Sequence, residues 1–373
     1  MQEKRKPIEY AILCCDSVMK TYEARLLPPE RRFHYHQGVL LSGFERTLRQ
    51  TGKEAYLSYI KEWVDSILLE DGTFSWCHDR ELDGIMPCIL LLNLYEKFGC
   101  EKYRKALADA VNKLKNWDFT PNGGFWHMRH LKDQMWLDGF YMVSPLLVKC
   151  GLLFEEENLF DIAYNQMRLM RDSMRDEKTG LFYHACDFSR SATWCDRDTG
   201  LSSVFWGRAM GWYVVAAVDI ADYLPESYSK RQEFIDVAVD LIRALVKYQE
   251  EETGLWYQVI NEGRRKDNWL ETSCSALYTY AISKAVRLGW IESAYRSYAE
   301  KGYQGVINLI EIDAENKLSV PRICIGTCLG DYKFYVNRST QTNMLIGVGA
   351  FLLMCNEYQE LLNCEALKEK IEE

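Results

Sequence analysis

The chain has 373 residues, 48% of them hydrophobic, and a formal net charge of −9. That composition supports a large core, and the acidic balance argues against nucleic acid or an anionic membrane as a partner. The charged stretch Met1 to Tyr10 lacks the apolar core of a signal peptide, and no apolar run reaches the roughly 18 residues of a membrane span, so a cytoplasmic location is expected. The 13 cysteines are an odd number without a CxxC pair, which reads as reduced, mostly buried thiols. With 8 prolines and no Ser/Gly/Pro-rich linker, no domain boundary is visible and 1–373 reads as a single domain.

In chain order, helical periodicity recurs over 7–22, 36–51, 53–68, 84–98, 101–116 and 138–152. It continues over 156–174, 205–224, 229–249, 272–288, 292–310 and 342–366. Val214, Ala217, Val218 and Ile220 show the spacing of three to four residues, and Leu224-Pro225 and Leu288-Gly289 read as stops. Between alternate helices, a turn precedes an aromatic cluster: Asp71-Gly72-Thr73-Phe74-Ser75-Trp76, Gly123-Gly124-Phe125-Trp126-His127, Thr179-Gly180-Leu181-Phe182-Tyr183-His184 and Thr253-Gly254-Leu255-Trp256-Tyr257. These read as turns followed by short strands. A fifth long segment, Asn316–Thr342, has similar content without the signature.

Helix, short link, helix and long aromatic loop thus repeat at intervals of roughly 50–70 residues, the mark of a repeat architecture. Helices starting near 36, 84, 138, 205, 272 and 342 are rich in small residues and suit an inner ring. The charged ones, such as 101–116, 156–174 and 292–310, suit an outer ring. The expected fold is all-α: six helical hairpins closed into an (α/α)6 barrel, with short β-hairpins in the long loops at one rim. A linear helical solenoid is the alternative.

In such a barrel the long loops and the inner-helix N-termini share that rim, bringing together Tyr35, Asp83, His127, Trp136, Asp138, His184, Trp206, Arg208, Trp212 and Glu271. Asp138, inside Gln134-Met135-Trp136-Leu137-Asp138-Gly139-Phe140-Tyr141, has an apolar wrapping. Burial raises a carboxylate's pKa, and an acid kept protonated near neutral pH serves acid catalysis; the other reading is a helix cap, which also fits Asp83. Trp136, Trp206 and Trp212 offer faces for sugar rings. Arg208, His127, His184 and Lys132 offer positive potential, although Arg208 and Trp212 at i, i+4 could also form a packed cation–π pair. Glu271 fits a first-turn acid complementing a helix dipole.

HExxH, GxSxG, Walker A and Rossmann glycine patterns are all missing. His34 and His36 alternate, but no Cys/Asp cluster completes a metal site, and no cysteine stands beside a histidine partner. Neither a metal nor a cofactor is expected.

The stretches GFWHMRHLKDQMWLDGFYM (124–142), TGLFYHACDFS (179–189), CDRDTGLSSVFWGRAMGWY (195–213), ETSCSALYTYAISKAVRLGW (271–290) and GVGAFLLM (347–354) resemble, in order, the unsaturated rhamnogalacturonyl hydrolases of glycoside hydrolase family 105. The resemblance implies an (α/α)6 barrel with Asp138 as general acid and base. It also implies a sugar pocket of Asp83, His127, Trp136, His184, Trp206, Arg208 and Trp212, with Tyr35 carried over beside them. The substrate implied is an oligosaccharide ending in an unsaturated uronic acid, handled by a monomer or homodimer. An unsaturated glucuronyl hydrolase of glycosaminoglycan or ulvan fragments, a sugar epimerase and a non-catalytic helical scaffold stay open as alternatives.

Overall fold

A computed structural model of the chain describes residues 5–75 and 80–372, with side chains as far as Leu367. Trp76, the end of the first aromatic cluster, lies outside the described residues. The helices are α1 (Pro7–Thr21), α2 (Tyr35–Thr51), α3 (Glu54–Asp65), α4 (Ile89–Phe98), α5 (Glu101–Lys115), α6 (Asp138–Phe154) and α7 (Asn158–Met174). They continue with α8 (Gly207–Tyr223), α9 (Arg231–Leu245), α10 (Thr272–Arg287), α11 (Arg296–Leu309), the short α12 (Tyr332–Val336) and α13 (Leu345–Glu372).

The even-numbered helices up to α10, together with α13, form the inner ring. Each touches the next, and the ring closes where α13 packs on α2. The odd-numbered helices α1 to α11 lie outside, against their inner neighbours, which completes the (α/α)6 barrel. The sequence dictates this sorting. On α5 the buried residues Tyr103, Ala106, Leu107, Ala110, Val111 and Leu114 form one stripe at helical spacing, and the remainder is Lys, Glu, Asp, Arg and Asn with the single Ala108. On α8 every residue from Gly207 to Ala221 is buried, as an inner position requires. Small residues let the inner helices approach: a Cβ on Gly349 of α13 would lie 2.6 Å from Val39 Cγ1 of α2. Each large apolar side chain fully buried in these faces contributes roughly 1.5–3 kcal/mol.

The fourth predicted helix starts later than expected. Pro87 lacks an N–H and disfavours α geometry in its predecessor, so Leu82–Gly84 and Met86–Cys88 form two single 3-10 turns before α4 begins. The helix α12 falls inside the fifth long segment, where the sequence reading placed none. Asp331 starts it by accepting the Phe334 N–H at 2.8 Å.

Strand placement also differs. Phe74, Phe125 and Phe182 make isolated bridges to Leu68, Phe119 and Arg175 rather than strands. The ladders are β1 (Gln134–Trp136) with β2 (Ala185–Asp187), β3 (Trp256–Tyr257) with β4 (Leu270–Glu271), β5 (Glu311–Ile312) with β6 (Leu318–Ser319), and β7 (Ile323–Cys324) with β8 (Thr340–Gln341). All are antiparallel, and β1–β2 joins two different loops. What does recur is one turn. Asp176, Asp196 and Glu250 each accept the backbone N–H and hydroxyl of a Thr three residues on, at Thr179, Thr199 and Thr253. The glycine that follows takes φ of +76°, +79° and +75° at Gly180, Gly200 and Gly254, a region that favours a residue without Cβ.

Candidate active site

The rim is organised by backbone pairing from loop to loop. Glu81 bridges Met128, and the Leu82 N–H donates to the His127 carbonyl at 3.0 Å. The His127 N–H donates to the Gln134 carbonyl at 2.9 Å. In β1–β2, Trp136 stands opposite Ala185, and the Leu137 N–H extends the ladder to the His184 carbonyl at 2.8 Å. Cys186 then bridges Leu201, and Trp206 bridges Val259. This belt brings Asp83, His127, Trp136, Asp138, His184 and Trp206 together from three inter-helix segments.

Asp138 is the first residue of α6, behind Leu137 at the cap position, and its side chain makes no capping bond among the described residues. The cap reading is therefore wrong for Asp138. It is also wrong for Asp83, which sits inside the 3-10 turn Leu82–Gly84. Freed from that duty, Asp138 Oδ2 lies 3.0 Å from His184 Nε2, and His184 Nδ1 lies 2.8 Å from the Tyr335 hydroxyl. Asp83 Oδ1 lies 3.5 Å from His127 Nε2, and Asp83 Oδ2 lies 3.9 Å from His34 Nε2. Trp136 separates the two carboxylate–imidazole pairs: it stacks on His127 at 4.4 Å and 14°, and meets His184 edge-on at 5.6 Å. Trp206 covers the other side of His184 at 4.5 Å.

Buried polar atoms are ordinarily hydrogen-bonded, so exceptions need a reason. Several exceptions gather here: Asp83 Oδ1, His127 Nδ1, Asp138 Oδ2, His184 Nε2 and Trp206 Nε1 have no aligned partner among the described residues. The 3.0 Å contact between Asp138 and His184 is close in distance but off the hydrogen-bond line. These atoms form a set of donors and acceptors held ready for a polar ligand, walled by indole faces.

The two carboxyl groups differ in charge. Burial drives the Asp83 pKa well above its ordinary value, with Glu81 and Asp138 adding to the effect. Burial also pushes Asp138 upward, but His184, His127 and Arg208 outweigh it and hold Asp138 below its ordinary value. The expectation that burial raises the Asp138 pKa is thus corrected: the carboxyl that burial drives up is Asp83, where the opposing cationic influence is weaker. Burial lowers the His127 pKa to about 4, although Asp138 raises it in part. His36 falls to about 3 through burial and the nearby Arg208 and Arg32.

A family-wide comparison matches residues 10–362 to Glycosyl Hydrolase Family 88. The chain belongs to this family. It is a glycoside hydrolase. It is 27% identical, over 78% of its length and 79% of the relative's, to the unsaturated rhamnogalacturonyl hydrolase YesR of Bacillus subtilis (strain 168). Its structure superposes on a family 105 glycoside hydrolase of C. acetobutylicum ATCC 824 with a TM-score of 0.89 and 34% identity, covering 94% of this chain and 99% of that one. It shares its fold with the unsaturated glucuronyl hydrolase of Bacillus sp. GL1, at a TM-score of 0.69, 14% identity and coverage of 94% and 95%. Among the described residues no helix is long and apolar enough to cross a membrane.

Within this family 88 chain, the remaining predicted site residues divide. Tyr35 starts α2 close enough to Asp83, Arg208 and Asp138 to feel their charges, and burial raises its phenol. Arg208 is 1% exposed, and its guanidinium lies over Trp206 at 4.7 Å rather than over Trp212. Its terminal nitrogens donate to the carbonyls of Cys324 and Ile325 at 2.5 and 2.8 Å, so it ties α8 to the last loop. Trp212 is fully buried, packed on Tyr141 at 4.7 Å, and acts as barrel core instead of a stacking platform. Lys132 is exposed. Glu271 is the N-cap of α10 rather than a first-turn acid, accepting the N–H groups of Cys274 at 2.6 Å and Cys324 at 2.9 Å. Sequence reasoning missed Tyr335. The signal was the capping Asp331 four residues earlier, in the segment that lacked the repeat signature.

Proposed function

We propose that this glycoside hydrolase removes a 4,5-unsaturated galacturonic acid from the non-reducing end of lyase-generated rhamnogalacturonan oligosaccharides. The observation that carries the reading is the pairing of Asp138 with His184 3.0 Å away, beside a second carboxyl, Asp83, whose pKa burial drives up while that of Asp138 is held down. Ordinary glycosidases flank the glycosidic bond with an acid and a second, ionised carboxylate. A site with one ionised carboxylate suits an enol ether, which is activated by protonation at carbon. The similarity to the Bacillus subtilis rhamnogalacturonyl hydrolase favours the same substrate class.

The anionic substrate enters a closed site, and its like charge and exclusion of water raise the Asp138 pKa, so Asp138 takes up a proton in the complex. Asp138 then protonates C4, and positive charge spreads over C5 and the ring oxygen. Water adds at C5 and returns a proton to Asp138. The hemiketal opens to a ketone, C1 is left as a hemiacetal, and its collapse releases the rest of the chain. Asp83 holds a ring hydroxyl, and Trp136 and Trp206 shield the reacting carbon from bulk water.

The test follows the conjugated double bond by ultraviolet absorbance on lyase-generated disaccharides, for the wild type and Asp138→Asn. Rapid loss on pectin-lyase products by the wild type alone supports the reading. Faster loss on chondroitin- or ulvan-lyase products assigns the chain to glucuronyl substrates instead. No loss on any of them removes the hydration mechanism.

A further inference from the structure

Tyr335 is fully buried, yet it carries a hydroxyl that a phenylalanine would spare. Its ring leans on Trp206 at 5.8 Å and on His184 at 5.9 Å. The segment that bears it is pinned from several sides. Gln258 donates to the Tyr335 carbonyl at 3.1 Å, the Trp269 indole to the Val336 carbonyl at 3.0 Å, and the Ser203 hydroxyl to the Gly330 carbonyl at 3.1 Å. Arg208 grips the same loop at Cys324 and Ile325. Such anchoring is more than a loop needs to close over a pocket, and it fixes one hydroxyl 2.8 Å from one ring nitrogen.

The direction of that hydrogen bond can be worked out. Burial keeps the phenol protonated, and a buried hydroxyl hydrogen needs an acceptor, which His184 Nδ1 supplies at 2.8 Å. Its own proton is therefore directed to His184 Nδ1. A neutral imidazole that accepts at Nδ1 carries its hydrogen on Nε2, and the hydrogen bond at one ring nitrogen sets the state of the other. Nε2 is the nitrogen that faces Asp138 Oδ2.

We propose that Tyr335 is a positioning residue that locks His184 in its Nε2–H tautomer and so assigns the transferable proton of Asp138 to the outer oxygen, Oδ1. The role of Asp138 rests on the reading of it as acid and base; the tautomer lock stands apart from that reading. With a hydrogen on Nε2 only 3.0 Å from Oδ2, a second proton on that oxygen would crowd it. The proton taken up on substrate binding then sits on Oδ1, away from the imidazole. The charged and titratable groups around His184 are Asp138 of α6, Arg208 of α8, acting across Trp206, and His127 of the neighbouring loop.

The test is the imidazole nitrogen-15 spectrum of the full chain, with the His184 signals assigned by their loss in His184→Gln. The wild type should show His184 as a single Nε2–H tautomer. Tyr335→Phe keeps the ring and its packing, but should give mixed tautomers. It should also move the pH profile of kcat and lower kcat roughly 10-fold or more, within the roughly 10²–10⁴ that a positioned acid–base group contributes. KM should change by less than about twofold, since ground-state binding is left in place. A wild-type His184 protonated on Nδ1 overturns the proposal without any variant. So does a Tyr335→Phe protein whose tautomer and pH profile match the wild type. If Asp138→Asn keeps its turnover while the tautomer shift is seen, the acid assignment fails and the lock survives.

Discussion

Two buried aspartates on the inner ring, Asp138 and Asp219, carry the same electrostatic label and opposite meanings. Burial pushes both upward, and nearby cations hold both below the ordinary carboxylate value. Asp219, on the last turns of α8, is saturated. Arg46 reaches it at 2.8 Å and Lys284 at 2.7 Å, and the Tyr280 hydroxyl donates to it. Lys284 also meets Asp222 at 2.9 Å, and Arg287 binds Glu357 at 2.6 Å. Lys284 and Arg287 lie in the last turn of α10, where cations complement the helix dipole. Asp138, at the opposite end, has one imidazole off the hydrogen-bond line and an oxygen with no aligned partner. A buried, pKa-shifted carboxylate is therefore not by itself a catalytic one. Unfilled hydrogen-bonding capacity separates the proposed catalytic end of the barrel from the end where Asp219 is saturated.

The comparison breaks if the two aspartates exchange phenotypes. Asp138→Asn should lower kcat about 10³-fold, the scale of a lost general acid; its thermal midpoint should hold, because few bonds are lost. Asp219→Ala should do the reverse. It leaves Lys284 and Arg46 buried without their partner, which costs about 3–5 kcal/mol in urea unfolding. Specific activity of the folded fraction should stay high.

A smaller effect sharpens the same contrast through pH. The folded Asp219 pKa is depressed, so its stabilisation is complete above the unfolded value near 4 and is lost as pH falls through the folded value. Urea midpoints of the wild type should drop below pH 4, and those of Asp219→Asn should drop less. Asp83 has the opposite sign. Its folded pKa is raised, so above the unfolded value near 4 its ionisation opposes folding, and below that value the penalty is absent. Asp83→Asn should therefore raise the melting temperature slightly at pH 7, and the gain should vanish at pH 4. A gain of equal size at both values would mean that Asp83 is ionised in the folded protein.

The helices were legible because amphipathic stripes such as Tyr103 to Leu114 and all-apolar runs such as Val214 to Val218 record burial directly. The sequence also singled out Asp138, His127, His184 and Trp136, which the structure places beside one another, since polar and aromatic groups in apolar surroundings stand out. What could not be read was partnership. Nothing in the local pattern tells that Arg208 spends its donors on the carbonyls of residues 324 and 325, or that Trp212 turns into the core. The pKa direction of Asp138 was misread for the same reason: a pKa depends on neighbours supplied by other loops. Tyr335 stayed hidden because it lies 151 residues from His184.

The ladder between β1 and β2 makes the catalytic geometry a matter of counting. Successive residues in a strand point to opposite faces, so sliding 185–187 by one residue against 134–136 would turn His184 away from Asp138. The intervening helices and the 188–200 excursion can lengthen or shorten during evolution at little cost, because the ladder measures only parity. A single residue gained or lost between His184 and Ala185 would leave the barrel intact and dissolve the pair. Relatives with divergent rims should therefore keep the chain length from Trp136 to Asp138, and from His184 to Asp187, far more strictly than the identity of the residues between the repeats.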